Sequence, residues 1–176
     1  MMIDFIKVNG NLNLRRISLH DAPDIFRLID ENRTSLREWL PFVDTTYSVE
    51  NTRAFIDHLK APHSREMVFT VCFQDEIVGL IGFKDIDKPN RKLEIGYWIA
   101  PEFEGKGIVT ESCRTLISKA FKKMDMNRIQ IKCGVGNHRS SNIPKRLSFR
   151  FEGIERQGER HHDRYIDLEV YSMLKE

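Results

Sequence analysis

The chain has 176 residues, 40% of them hydrophobic and 31% charged, with 28 Lys and Arg against 26 Asp and Glu. That apolar content excludes a disordered chain, and a net charge of +2 provides no field that would single out nucleic acid or a membrane surface. Apolar runs such as MVFTVCF are far too short to cross a bilayer as a helix.

One domain over residues 1–176 is expected from this length. The opening MMIDFIKVNG lacks the basic start and long apolar run of a secretory leader, so a cytoplasmic chain is expected, with neither nucleic acid nor membrane as a partner. The three cysteines, Cys72, Cys113 and Cys133, are odd in number and lack CxxC spacing; each lies in an apolar pattern and reads as a buried reduced thiol.

NLNLRRIS alternates, with Leu12 and Leu14 on one face, and reads as a strand. Ser18 then caps a helix, with Asp21 as its box partner and Pro23 in the first turn; Ile25, Phe26, Leu28 and Ile29 form its apolar face. A short helix carries Leu36, Trp39 and Leu40 and is stopped by Pro41. Ser48 caps a third helix, with Phe55, Ile56 and Leu59 expected to face inward. The period then changes from helix to strand. REMVFTVCF, IVGLIGFKDI and RKLEIGYWI, separated by short polar turns, read as a three-stranded antiparallel meander.

After a glycine loop, Val109, Cys113, Leu116, Ile117, Ala120 and Phe121 recur at helical spacing. NRIQIKCGV returns as a strand, parallel to the one before the helix by a right-handed crossover. GNHRSSNIPKRLSF opens another helix, and the tail reads as two strands around a polar turn. With no repeat, linker or low-complexity tract, an α+β domain is the economical reading.

The loop EGKG joins a strand to a helix. Gly105 and Gly107 allow positive φ and close backbone approach, and the helix behind them offers free N–H groups and a positive dipole end. Together these make an anion cradle, although a plain turn would use the same residues. A P-loop is excluded because Gly107 follows Lys106, and a dinucleotide fingerprint because Thr110 stands where its third glycine belongs.

EIGYWIAPEFEGKGIVTES, GNHRSSNIPKRLSFRFEG and the final YSML together resemble the GNAT superfamily of acyl-CoA N-acyltransferases. Within it they resemble the branch that acetylates the N-terminal serine or alanine of ribosomal proteins. The resemblance covers nearly the whole chain. It implies a mixed, mostly antiparallel central sheet of about seven strands, splayed between the fourth and fifth and flanked by helices. It also implies acetyl-CoA as cosubstrate, an acceptor protein N-terminus, a ribosomal protein being the family's example, and a homodimer.

The family's Q/R-x-x-G-x-G/A pattern falls on residues 104–109 with two departures, Glu104 for Gln or Arg and Val109 for Gly or Ala. The resemblance assigns the pyrophosphate to N–H groups of Glu104, Gly105, Lys106, Gly107, Ile108, Val109 and Thr110, with Lys106 or Arg139 available to offset the Glu104 charge. Backbone N–H near Trp98 or Ile99 faces the thioester oxygen. Asn137 holds the pantetheine arm, and Ser140 protonates the leaving thiolate. Glu159 is the general base, with Glu94, acting through water, as its rival. Ser148 departs from a family glycine, a difference read as one of packing. Trp39 walls the acceptor side or simply packs in the core, and Tyr171 in YSML faces the active site or, as strand tyrosines more often do, packs in the sheet.

Substrate chemistry favours an α-amine. Its pKa of about 7.7–8 leaves an appreciable neutral fraction near pH 7, whereas a lysine amine at about 10.4 is almost wholly charged. His161, His162 and Asp163 are adjacent in a polar turn without a convergent ligand set, so no metal is expected. Three other functions stay open on the residues alone: a small-amine acetyltransferase for polyamines or aminoglycosides, a silent acyl-CoA-binding domain, and a nucleotide-binding module. A polycation enzyme should carry an acidic acceptor cleft.

Overall fold

A computed structural model describes residues 4–176. Eight strands form one sheet: β1 (Phe5–Lys7), β2 (Leu12–Arg16), β3 (Met67–Phe73), β4 (Glu76–Asp87), β5 (Lys92–Ile99), β6 (Arg128–Gly134), β7 (Arg150–His161) and β8 (Arg164–Leu174). Their order is β1-β2-β3-β4-β5-β6-β8-β7, with β5–β6 parallel and the other pairs antiparallel. The strand beyond the expected seven is β1. Its three residues bury only Ile6, too little for an alternating pattern to register in sequence.

Five helices flank the sheet: α1 (Ala22–Glu31), α2 (Arg33–Arg37), α3 (Val49–Leu59), α4 (Ile108–Lys122) and α5 (His138–Arg146). The Ser18–Asp21 box is present, but it starts a 3-10 turn that leads into α1. Trp39 and Leu40 lie beyond the end of α2, and Pro41 opens another 3-10 turn where a plain stop was expected. Phe55 does not face inward. The buried stripe of α3 is Thr52, Ile56 and Leu59, and Phe55 stands 39% exposed on its flank.

Strand alternation divides the core. On β5, Leu93, Ile95, Tyr97 and Ile99 pack with Ile108, Cys113, Leu116 and Ile117 of α4. Trp98 points the other way, toward Ile25 and Ile29 of α1 and Ile56 and Leu59 of α3. Glu94 and Gly96 share that second face by their period of two. Cys113 and Cys133 are buried, but Cys72 is only partly so because it stands near the end of β3.

β5 and β6 pair only at Lys92↔Arg128, Leu93↔Ile129 and Glu94↔Gln130. Beyond Glu94 the two strands diverge, and this is the expected splay. Tyr97 reaches across the gap, its hydroxyl donating to the Ser140 carbonyl at 3.0 Å. Ser148 holds φ at +63° on an exposed site, so the family glycine there answers a left-handed backbone and not side-chain packing.

Candidate active site

The loop after β5 is built as an anion cradle. Gly105 and Gly107 adopt φ of +74° and +77°, and Gly107 is the N-cap of α4. A glycine cap has no side chain to cover the first helical N–H groups. The first α-helical bond runs from Glu111 N to Gly107 O at 3.0 Å, so the N–H groups of Ile108, Val109 and Thr110 precede it and stand free for an anion. Val109 packs partly against the core, which absorbs the bulk that the family pattern avoids.

Glu104 is the unfavourable residue of this loop, and α5 answers it. Arg139 Nη1 lies 2.5 Å from Glu104 Oε2 and directs that carboxylate into an ion pair. Lys106 sits instead over the Phe103 ring, 4.9 Å from its centroid. The residues therefore fit a pyrophosphate despite the acidic substitution.

At the middle of the splay, Asn137 caps α5 by accepting from Ser140 N at 3.0 Å, which leaves its side-chain NH2 for a ligand. Ser140 Oγ lies 3.2 Å from Cys133 Sγ and 3.3 Å from the Tyr97 hydroxyl oxygen. Burial, then the nearby Cys133 and Cys113, hold the Tyr97 hydroxyl well above its ordinary value. Burial also pushes Cys133 up, outweighing hydrogen bonds from Ser140 and Tyr97. The Ser140 hydroxyl thus sits among neutral groups, as a proton donor to a departing thiolate should. Tyr171 is buried in the sheet and donates to Glu169 Oε2 at 2.7 Å.

On the α1–α3 side a cavity of about 510 Å³ opens against the splay. Its walls include Trp39, Phe42 and Phe55, and Trp98, Asn137, Ser140, Glu94 and Glu159 all border it. The Trp39 ring packs closely over Gly134, where a Cβ would come within 3.1 Å of it. The structure thus gathers the three proposed catalytic side chains around one cleft. Ile99 and residues 104–110 lie outside its lining, along the splayed end of β5 and the turn beyond.

The two rival carboxylates differ in access. The Glu159 side chain is 42% exposed, and its Oε2 is held by His161 Nε2 at 2.7 Å. Glu94 is buried to 5% of its side-chain surface, with Lys84 Nζ 2.8 Å from Oε1. That contact is an ion pair by distance but lacks an aligned hydrogen bond, so Oε1 stays without a directed donor. Burial disfavours the Lys84 ammonium, yet Glu94, with Glu159 and Asp85 behind it, raises its pKa above the ordinary lysine value.

Four of these residues were not singled out for the site in sequence. Tyr97 lies inside the GYW stretch, one position before Trp98 and on the opposite face. His161 follows Glu159 by two, the spacing that puts strand residues on one side. Cys133 was read only as a buried thiol. Lys84 meets Glu94 through hairpin register. The adjacent His162 turns to Asp44, which also pairs with Arg37 at 2.5 Å. Among the described residues, no three His, Cys, Asp or Glu converge as a metal site, and no helix is long and apolar enough to cross a membrane.

Residues 11–150 match the family described as "Acetyltransferase (GNAT) domain". The chain is 37% identical to the "Putative ribosomal N-acetyltransferase YdaF" of Bacillus subtilis (strain 168), over 96% of this chain and 94% of that one. It is 30% identical to the "Ribosomal-protein-serine acetyltransferase" of Escherichia coli (strain K12), over 98% of each. Its fold superposes with a TM-score of 0.92 on RimL, a ribosomal L7/L12 α-N-protein acetyltransferase, in complex with coenzyme A, at 28% identity over 97% of this chain and 98% of the other. With a splayed sheet and a glycine turn at the head of α4, the chain belongs to the GNAT family and is an acetyl-CoA-dependent N-acetyltransferase.

Proposed function

We propose that the acceptor is the N-terminal α-amino group of a protein, a ribosomal protein being the first to test. One observation carries this reading: a single cleft brings together a solvent-reachable carboxylate, Glu159, and a hydroxyl among neutral groups, Ser140. The names of the B. subtilis and E. coli relatives point to the same acceptor class.

The transfer proceeds in one ternary complex. Glu159, oriented by His161, takes the proton that the attacking amine must lose, and an α-amine near pH 7 makes that a modest demand. The new C–N bond forms as the C–S bond breaks, and Ser140 gives its proton to the departing thiolate and regains one from solvent through the cleft it borders. Backbone N–H at Trp98 or Ile99 stabilises the charge that develops on the thioester oxygen. The N–H groups of Glu104 through Thr110 hold the pyrophosphate, and Asn137 holds the pantetheine arm. Glu94 is the poorer base because it is buried and already carries Lys84 on one oxygen.

The test is a competition read by intact mass. Acetyl-CoA is supplied with serine- and alanine-initiated ribosomal peptides, a lysine peptide blocked at its N-terminus, spermidine and an aminoglycoside. Acetylation confined to a free peptide N-terminus is expected. Glu159→Gln should lower kcat by about 10²–10⁴, with acetyl-CoA binding retained. Acetylation of a small amine in preference to the peptides would overturn the reading.

That second outcome has one observation in its favour. The cleft is bordered by four carboxylates, Glu66, Asp85, Glu94 and Glu159, against two lysines, Lys84 and Lys132. An acidic cleft suits a polycation.

A further inference from the structure

Two of the four cleft carboxylates carry a partner: Glu94 holds Lys84 and Glu159 holds His161. Lys132 is drawn aside to Glu155 at 2.7 Å, outside the lining, and leaves Lys84 as the lining cation seated on a cleft carboxylate. Lys84 projects from β4, and its register partner on β5 is Glu94. Its stem crosses Gly96, where a Cβ would approach Lys84 Cε to 3.4 Å. Gly96 presents no side chain beneath the stem, and Nζ stands 2.8 Å from Glu94 Oε1.

Glu94 is more than nine-tenths buried, and that oxygen has no aligned donor. A buried carboxylate of this kind is a seat for a cation. Asp85 and Glu159 add to the field at the same place.

We propose that Lys84 is a specificity-determining residue: its tethered ammonium fills the second cation seat of the acceptor cleft. The seat would otherwise take the distal charge of a di- or polyamine. With Lys84 in place, a polyamine meets a like charge where it needs a carboxylate, and an acceptor with a single reacting amine does not. The cleft can therefore be acidic and still prefer a peptide N-terminus. This inference rests on the α-amine reading above and explains how that site rejects its nearest competitor.

The test compares kcat/KM for a serine-initiated peptide, spermidine and propylamine, using the full chain as wild type, Lys84→Met and Lys84→Arg. Lys84→Met should raise the spermidine-to-propylamine ratio about tenfold or more, because only spermidine brings a second charge to the vacated seat. Lys84→Arg should restore the wild-type ratio. Lys84→Gln, with a shorter polar head, runs alongside in case the apolar variant folds poorly, and acetyl-CoA binding by calorimetry reports folding for each. If spermidine and propylamine rise together, the side chain is only a steric plug; if neither moves, it has no part in selection. Either result overturns the proposal. The α-amine reading is judged separately, from the wild type alone: preference for spermidine over the peptide there would overturn it, whatever the variants do.

Discussion

Ser148 departs from a family glycine and bears the backbone strain that the glycine would avoid. Its φ of +63° is a left-handed conformation that costs an L-residue about 1–2 kcal/mol. Ser148→Gly removes that cost but adds about 0.4–1 kcal/mol of unfolded-state entropy. The strain term is the larger, so the variant should be more stable by about 0.5–1 kcal/mol, read as a higher denaturation midpoint with unchanged slope. Glu159 and His161 form the other instructive pair at this scale. His161 is 2% exposed and does not border the cleft, so its part is to aim the carboxylate and not to touch substrate.

The decisive contact between elements joins the loop ahead of α4 to the first turn of α5. The Arg139–Glu104 pair is too exposed, at 80% for the arginine side chain, to add much stability. Its effect falls on the cradle, where it neutralises a carboxylate beside the proposed seat of the coenzyme phosphates. Arg139→Ala should raise KM for acetyl-CoA about tenfold. In a Glu104→Gln background the same change should cost far less. An equal cost in both backgrounds would mean that Arg139 acts on the phosphates directly. Neither partner's role is visible from the loop alone, since 35 residues separate them.

Across the whole sheet, the last strand is inserted between β6 and β7, and a three-strand tie secures the insertion. Glu152 of β7 pairs with Arg128 of β6 and accepts from Ser172 Oγ of β8 at 2.7 Å. Arg128, then Ser172, hold the Glu152 carboxyl down at about 2. A depressed folded value means that the stabilisation is complete above the unfolded range, near pH 4.3, and is lost as pH falls toward about 2. Urea midpoints should therefore drop through that acid window. Glu152→Gln should lower the midpoint at neutral pH and flatten the drop; an unchanged acid slope would assign it to other carboxylates.

Much of this architecture could be read before any coordinates. The Ser18 and Ser48 caps, the apolar stripe of α4, the alternation of β3 to β5 and the two loop glycines are short-range signals, and each reflects a period or a backbone angle that local sterics enforce. The family resemblance named Asn137 and Ser140, in one motif-bearing stretch, and Glu159, six residues beyond its end. What the sequence could not decide was which side chains meet. Lys84 reaches Glu94 through strand register, Arg139 reaches Glu104 across α4 and β6, and Tyr97 ties Ser140 across the splay. Phe55 turned toward the cleft because α3 packs on a neighbouring stripe. Periodicity places a residue on a face, but packing between distant elements sets its partner, and in this enzyme those partners balance the charge of the cradle and the acceptor cleft.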